Sequence, residues 1–106
     1  MSYALEYSDE AKEDLKDFNQ AQSSQIIKAI RRVAKNPLPQ NEGGYGKPLG
    51  NKGGRKLTGH FKIVLMKLGV RVVYKLLRTE TTMRVIVVAA RADDEVYDIA
   101  AKRTKQ

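Results

Sequence analysis

The stretch RKLTGHFKIVLMKLGVRVVYKLLRTETTMRVIVVAARA, residues 55–92, decides the fold. Apolar and polar residues alternate through it with a period of two, which is typical of β-strands with one buried face. We predict strands at 55–58, 60–67, 70–78 and 82–91. The turns between them, at 67–69 and 79–82, are short, and short turns join antiparallel neighbours. The stretch therefore predicts an antiparallel meander.

The two faces of the central strands differ in charge. Phe61 and Val72 belong to apolar faces, whereas Lys62, Arg71 and Lys75 fall on the opposite faces of their strands. The last strand is apolar on both faces, which indicates a central strand or one covered on both sides. Cations are thus expected on one face of the sheet.

The remaining elements complete an α+β domain. Residues 3–7 predict an opening strand, Ser8 or Asp9 caps a first helix, and Asn19 with Gln22 forms a capping box for a second. Residues 37–54 hold all three prolines and six of the eight glycines, and predict one long loop. Asp93 or Asp94 is expected to cap a closing helix that runs to 106, with Tyr97 beside its apolar stripe. The predicted order is β-α-α-β-β-β-β-α, within a single domain covering 1–106.

Composition excludes several classes of protein. The 106 residues include no cysteine, so disulfides, thiolate metal sites and thiol nucleophiles are excluded. The first residues have neither the basic nor the apolar region of a signal peptide, and no apolar run reaches the length of a membrane span. We expect a soluble cytoplasmic protein that does not associate with membranes.

Charge is distributed unevenly along the chain. The net charge is +8, yet residues 1–18 hold six acids and two lysines, while residues 47–91 hold eleven basic residues and one acid, Glu80. A concentrated positive surface attracts a polyanion such as RNA, DNA or an acidic protein.

Four residues suggest a specific chemistry. Lys62 and Arg71 come from neighbouring strands, Arg91 ends the last strand, and Tyr97 begins the closing helix. Cleavage of RNA by its own 2′-hydroxyl needs a proton acceptor, positive charge at the phosphate and stabilisation of the leaving 5′-oxygen. An aromatic ring can hold a base by stacking. A meander could bring these four residues to one concave patch.

The segments KLTGHFKIVLMKLGVRVVYKLL (56–77) and VIVVAARADDEVYDIAAKR (85–103) resemble the core of the RelE-type toxins of bacterial toxin–antitoxin systems. The G-x-R-x-V-Y piece is shared with the wider RelE/ParE superfamily. The spacing from the arginine to E-V-Y is more specific to the branch that cuts messenger RNA. The resemblance covers nearly the whole chain.

The resemblance implies a ribosome-dependent endoribonuclease that cuts messenger RNA in the A site, without metal or cofactor, and leaves a cyclic phosphate. It implies that Lys62 is a proton acceptor or charge stabiliser and that Arg71 holds the phosphate. Arg91 would act at the leaving oxygen, and a base would stack on Tyr97. The implied partner is a RelB-like antitoxin with an acidic or amphipathic segment, and the toxin would meet operator DNA only in complex with it.

The chain departs from the family at one site position. A second lysine often follows the first by two residues, and here that position is Val64. Lys56 or His60 could compensate, and so could Lys62 alone among other cations. Lys67, Lys75 and Arg84 are further candidates for contact with the RNA backbone.

Two other functions fit parts of the pattern. A ParE-like protein on the same fold would poison DNA gyrase and leave RNA uncut. A binding module without catalysis would hold RNA or DNA on its basic face, but the aromatic residues that RNA-binding sheets use for stacking are missing, because Phe61 and Tyr74 are both predicted to face the core.

Overall fold

The computed structural model describes residues 3–104, apart from the side chain of Lys52. Its strands are β1 (Ala4–Tyr7), β2 (Lys47–Gly50), β3 (Leu57–Leu65), β4 (Val70–Leu77) and β5 (Thr82–Ala89). Its helices are α1 (Asp9–Leu15), α2 (Gln20–Ala34) and α3 (Asp93–Arg103), and three short 3₁₀ turns cover Gln40–Glu42, Lys52–Gly54 and Met66–Leu68. The predicted order of elements and the α+β class are confirmed. The continuation of the last helix to 106, which includes Lys105, lies outside the described residues.

The five strands form one sheet in the order β1-β5-β4-β3-β2. The strands from β2 to β5 are antiparallel, which confirms the predicted meander for β3 to β5. Strand β1, whose pairing was not predicted, joins β5 in parallel. The meander brings β5 back running in the direction of β1, and β1 then covers the free edge of this strongly apolar strand.

Each face of the sheet carries its own hydrophobic core. Helices α1 and α2 cover one face, where Ile26 and Ile30 pack with Val72 and Tyr74. Helix α3 covers the other, where its apolar side meets Val73, Ile86 and Val87. The prediction that β5 is covered on both sides is confirmed. A register shift between Val73 and Tyr74 marks a β-bulge that lets consecutive residues Ile86 and Val87 both face α3.

The 37–54 segment is more ordered than predicted, because it contains strand β2. Pro48 has no amide hydrogen to donate, so such a sequence is suited only to an edge strand, and β2 lies at the edge. Tyr74 fixes the preceding loop by donating a buried hydrogen bond to the carbonyl of Pro37 at 2.8 Å. A Cβ at Gly46 would lie 2.7 Å from the Tyr74 hydroxyl, so the loop can approach only with glycine there.

The predicted division of the next segment into strands 55–58 and 60–67 is also wrong. Strand β3 runs without interruption from Leu57 to Leu65. Gly59, at φ +84°, occupies a conformation that glycine adopts without strain, and it changes the side-chain alternation within the strand. This change of phase accounts for the apparent break.

Candidate functional site

Lys62 and Arg71 lie together on the face of the sheet that α3 partly covers. Lys62 is opposite Val73, and Arg71 is opposite Val64 on one side and Ala89 on the other. Directly opposed residues share a face, and Val73 packs in the α3 core. Lys62 and Arg71 are therefore diagonal neighbours, a relation that separates Cα atoms by about 7 Å. Both side chains are half-buried. The predicted pairing of these two cations on one face is confirmed.

Arg71 is held by the beginning of α3. Its Nε donates to Asp93 Oδ1 at 2.5 Å, and its Nη1 donates to the carbonyl of Gly69 at 3.4 Å. Asp93 is the first residue of α3, and the N-cap is Ala92, whose side chain makes no capping hydrogen bond. The expectation that Asp93 or Asp94 caps the helix is therefore wrong. The carboxylate of Asp93 orients a guanidinium on β4 instead of binding helix amides.

Arg91 lies on the other side of the α3 N-terminus. It follows the end of β5, is exposed, and pairs with Glu95 at 3.2 Å. The hollow beside it is lined by Asp14, Asp17 and Phe18 at the end of α1. Arg71 thus pairs with one acid of the first turn of α3 and Arg91 with another. Neither Lys62 nor Arg71 lines the hollow beside Arg91, so the structure does not place these three cations in one pocket.

Tyr97 is buried in the α3 core, with 4% of its surface exposed. It packs in the same cluster as Leu49, Leu57 and Val73, and its hydroxyl is buried without a hydrogen-bond partner among the described residues. The expectation that Tyr97 lies beside the apolar stripe is wrong, because the buried side of α3 is formed by Val96, Tyr97 and Ala100. A base could stack on this ring only after the ring is uncovered.

His60 is buried as well, at 4% exposure. Its Nδ1 lies 3.3 Å from the carbonyl of Thr58, and its Nε2 has no hydrogen-bond partner among the described residues. Desolvation lowers the pKa of His60 below its ordinary value, and the nearby charge of Lys75 acts in the same direction. His60 is therefore a neutral imidazole within the sheet.

The other cationic candidates lie apart from Arg71, although Lys75 is, like Arg71, a diagonal neighbour of Lys62. Lys75 is opposite both His60 and Arg84, and Arg84 pairs with Glu6 at 2.5 Å. Val73 and Val87, one row further along the sheet, are covered by α3 and separate this group from Arg71. Lys56 is exposed just before β3, and Lys67 is exposed in the turn after it.

Arg55 contacts α3 and was not selected from the sequence. Its Nε donates to Asp98 at 2.6 Å, and its Nη1 lies 3.9 Å from Asp94. The hydrogen bond between Arg55 and Asp98 raises the pKa of Arg55 and lowers the pKa of Asp98. No local pattern signals this contact, because the two residues are 43 positions apart.

A basic cleft of about 1220 Å³ between α2 and the end of β3 was also missed. Its apolar lining includes Ile27, Ile63 and Leu65, and five cations surround it: Lys28, Arg31, Arg32, Lys35 and Lys47. The pairing of β2 with β3 reaches only to Lys62, so the edge of β3 is open along 63–65. The signal in the sequence that could have revealed this cleft is the complete absence of acidic residues from α2.

No cluster of three or more His, Cys, Asp or Glu side chains within 3–104 is arranged to hold a metal ion. None of the helices in the same range combines the length and the apolar character required to cross a membrane.

Known protein structures share this architecture. No family model and no curated protein sequence matches the chain. The free RelE toxin of E. coli, solved as a double arginine-to-alanine mutant, superposes with a TM-score of 0.76 at 25% identity, over 98% of this chain and 99% of that one. The toxin–antitoxin complex RelBE2 of Mycobacterium tuberculosis gives a TM-score of 0.67 at 24% identity, over 88% and 95%.

A RelE toxin solved with its antitoxin peptide shows the same similarity. That structure, of E. coli RelE in complex with a RelB peptide, matches with a TM-score of 0.69 at 24% identity, over 94% of this chain and 95% of that one. The resemblance inferred from the sequence is confirmed, and the chain has the fold of the RelE-type toxins.

Proposed function

We propose that this protein is the toxin of a type II toxin–antitoxin system and a ribosome-dependent endoribonuclease that cleaves messenger RNA in the A site. The observation that carries the proposal is the diagonal placement of Lys62 and Arg71 on one face of a RelE-type sheet. Two adjacent cations on rigid strands can bind one phosphate from two directions. The proposed site of action is the cytoplasm, where messages are translated.

The proposed reaction needs only groups of the RNA and of this chain. The 2′-oxygen attacks the adjacent phosphorus and loses its proton to Lys62, while the bond to the 5′-oxygen breaks. The products are a 2′,3′-cyclic phosphate and a 5′-hydroxyl. Arg71 stabilises the charge that develops on the phosphate oxygens, and Arg91 stabilises or protonates the departing oxygen. Tyr97 supplies a stacking surface for a base.

Lys62 is the favoured proton acceptor of this chain. Lys62 lies beside Arg71, whereas His60 is buried and Lys56 precedes the strand. Lys67, Lys75 and Arg84 are proposed to contact the RNA backbone further from the reacting phosphate. Lys67 is the most exposed of the three, and Arg84 would first have to leave Glu6.

We propose that the basic cleft between α2 and β3 receives the antitoxin. An extended peptide could pair with the open edge of β3, and acidic side chains on it would meet the cations of α2. E. coli RelE has been solved with a RelB peptide, which supports an antitoxin partner for this fold. Contact with operator DNA would occur only within the toxin–antitoxin complex. A neighbouring reading frame that encodes a small acidic protein would support this pairing.

Induction of the protein followed by primer extension on a translated message tests the activity. We expect new cuts within the coding region, which Arg71→Ala and Arg91→Ala each reduce at least tenfold. Arg78→Ala is the matched control. Arg78 directly follows β4, the strand that contains Arg71, but it pairs with Glu42 on the surface. An absence of cuts, or cuts that Arg71→Ala and Arg91→Ala leave unchanged, contradicts the proposal.

The same experiment separates the other two functions. DNA damage with intact messages would indicate a ParE-like gyrase poison. Stoichiometric, salt-sensitive RNA binding without cleavage would indicate a binding module. Phe61 and Tyr74 stack on each other, with ring centres 5.2 Å apart, and are buried in the core beneath α2. These two aromatic rings of the sheet are therefore not available to bases, which disfavours the binding module.

A further inference from the structure

Tyr97 has the properties of a residue that is covered in one state and used in another. Its ring is 4% exposed, so neither of its faces can receive a base in this conformation. Its hydroxyl is also buried without a hydrogen-bond partner among residues 3–104. Buried polar atoms are nearly always paired, and an unpaired one disfavours the state that buries it.

The loop at 50–56 lies against the same helix. Arg55 reaches from it to Asp98 at 2.6 Å and to Asp94 at 3.9 Å. Asp94 is three residues before Tyr97 and Asp98 is one residue after it, so Arg55 spans the surface of α3 at the level of Tyr97. The side chain of Arg55 is only 20% exposed, because it lies along the surface of α3.

Three glycines shape the backbone of this loop. Gly50 of β2 pairs with Leu57 of β3, so the two ends of the loop lie side by side. Gly50, Gly53 and Gly54 have φ values of +59°, +57° and +79°. A Cβ at Gly50 or Gly54 would meet no atom within 4 Å. These two glycines therefore supply backbone freedom and not close packing.

We propose that the 50–56 loop is a lid over Tyr97, held closed by the ion pairs of Arg55 with Asp94 and Asp98. RNA opens the lid, because a phosphate competes with the two carboxylates for the guanidinium of Arg55. Opening exposes the Tyr97 ring to a base and brings Arg55 to the RNA backbone. This role for Tyr97 rests on the proposed function, whereas the closed lid itself is a property of the free protein.

Tyrosine nitration tests the lid without any RNA. The variant Asp94→Asn/Asp98→Asn removes the negative charges of the two carboxylates that pair with Arg55. Nitration at each tyrosine is followed by mass spectrometry after treatment with tetranitromethane. Tyr45, at 51% exposure, and Tyr74, at 0%, are internal references for a free and a buried ring. Glu13→Gln is the control for charge, since it removes an exposed acid that pairs with Lys16 on α1.

We expect Tyr97 to react as slowly as Tyr74 in the wild type and in Glu13→Gln, and at least threefold faster in the double variant. Unchanged Tyr97 reactivity in the double variant overturns the lid. So does a wild-type Tyr97 that reacts as fast as Tyr45.

Cross-linking tests whether opening is needed for cleavage. The chain has no cysteine, so Arg55→Cys/Asp98→Cys can be joined specifically by a short bismaleimide. We expect the joined protein to lose at least nine-tenths of the cleavage shown by the same protein before joining. Each single variant should show after the treatment the same cleavage, whatever its level, that it shows before the treatment. Full activity of the joined protein overturns the lid. If the wild type cuts no message but the nitration results are as expected, the lid stands and the endoribonuclease proposal fails.

Discussion

Single residues set the chemistry of the sheet face, and Val64 shows how far the sequence predicts it. The period of two places Lys62 and Arg71 on one face, and the structure agrees. Val64 lies directly opposite Arg71, so the position where RelE-type toxins often have a second lysine faces the arginine that we propose to bind the phosphate. The burial of Tyr97 could not be predicted in the same way, because it depends on packing between α3 and residues far away in sequence.

Val64→Lys is therefore expected to increase cleavage. A lysine there would add an ammonium beside Lys62 and opposite Arg71, and we expect a three- to tenfold faster reaction on a translated message. Two like charges in opposed positions should cost on the order of 0.5 kcal/mol of stability, in addition to the lost burial of a half-buried valine. Val64→Met, which adds length without charge, is the control. A rate equal to that of Val64→Met contradicts a role for charge at this position.

His60 should make stability depend on pH. Burial lowers the pKa of His60 in the folded state, whereas the unfolded chain titrates near the ordinary value of 6.5. Below that pH the unfolded chain binds more protons than the folded one, so the free energy of unfolding should fall as pH decreases, by at most about 1.4 kcal/mol per pH unit. Urea unfolding between pH 5.5 and 7.5 measures this slope. His60→Phe should flatten it, and an equal slope in the variant would show that another group is responsible.

At the level of elements, prediction succeeded where periodicity was strong and failed where local composition misled. The capping box of α2 and the side-chain cap of α1 by Ser8 are present as expected. Strand β2 was missed because Pro48 and Gly50 resemble loop residues, and only pairing with β3 makes this segment a strand. The N-cap of α3 was assigned to Asp93 or Asp94 because aspartate is a common N-cap residue. The sequence does not show that Asp93 instead accepts a hydrogen bond from Arg71.

Ala92 leaves the N-terminus of α3 without a side-chain cap, so Ala92→Ser should stabilise the protein. Ala92 already has the extended backbone of an N-cap, with φ −65° and ψ 155°. A serine hydroxyl there can accept from a free amide of the first turn, which is worth about 1 kcal/mol. Urea unfolding measures the gain. Ala90→Ser, at an exposed position just before the helix, is the control and should change stability by less than half as much.

At the scale of the whole molecule, one carboxylate links elements from both ends of the described chain. Asp14 of α1 accepts two hydrogen bonds from Arg103 of α3, at 2.7 and 3.0 Å, and one from the amide of Val88 in β5, at 2.9 Å. Arg103 also donates to the carbonyl of Ile86 at 2.9 Å. Such a long-range network has no local sequence pattern, because Asp14 and Arg103 are 89 positions apart.

Asp14→Ala and Arg103→Ala should each destabilise the protein by about 3 kcal/mol, because each leaves a largely buried charge without its partner. The double variant should cost clearly less than the sum, since both substitutions remove the same network. Urea unfolding of the four proteins gives this coupling energy. The exposed pair Glu13 and Lys16 provides the comparison cycle, for which we expect less than about 0.5 kcal/mol. Additive effects at Asp14 and Arg103 would mean that the two residues act independently.

The parallel pairing of β1 with β5 also has a consequence for the order of assembly. Glu6 and Arg84, which face each other across this pair, are 78 positions apart, so β1 has no strand partner until nearly the whole chain has been synthesised. Helix α3, which holds Arg71 and contains Tyr97, follows β5 and emerges from the ribosome later still. Contacts of such large sequence separation form late in folding. In a nascent chain, Arg71 would therefore lack the Asp93 carboxylate that orients it until the start of α3 has been synthesised, so the site proposed for cleavage would be completed late in folding.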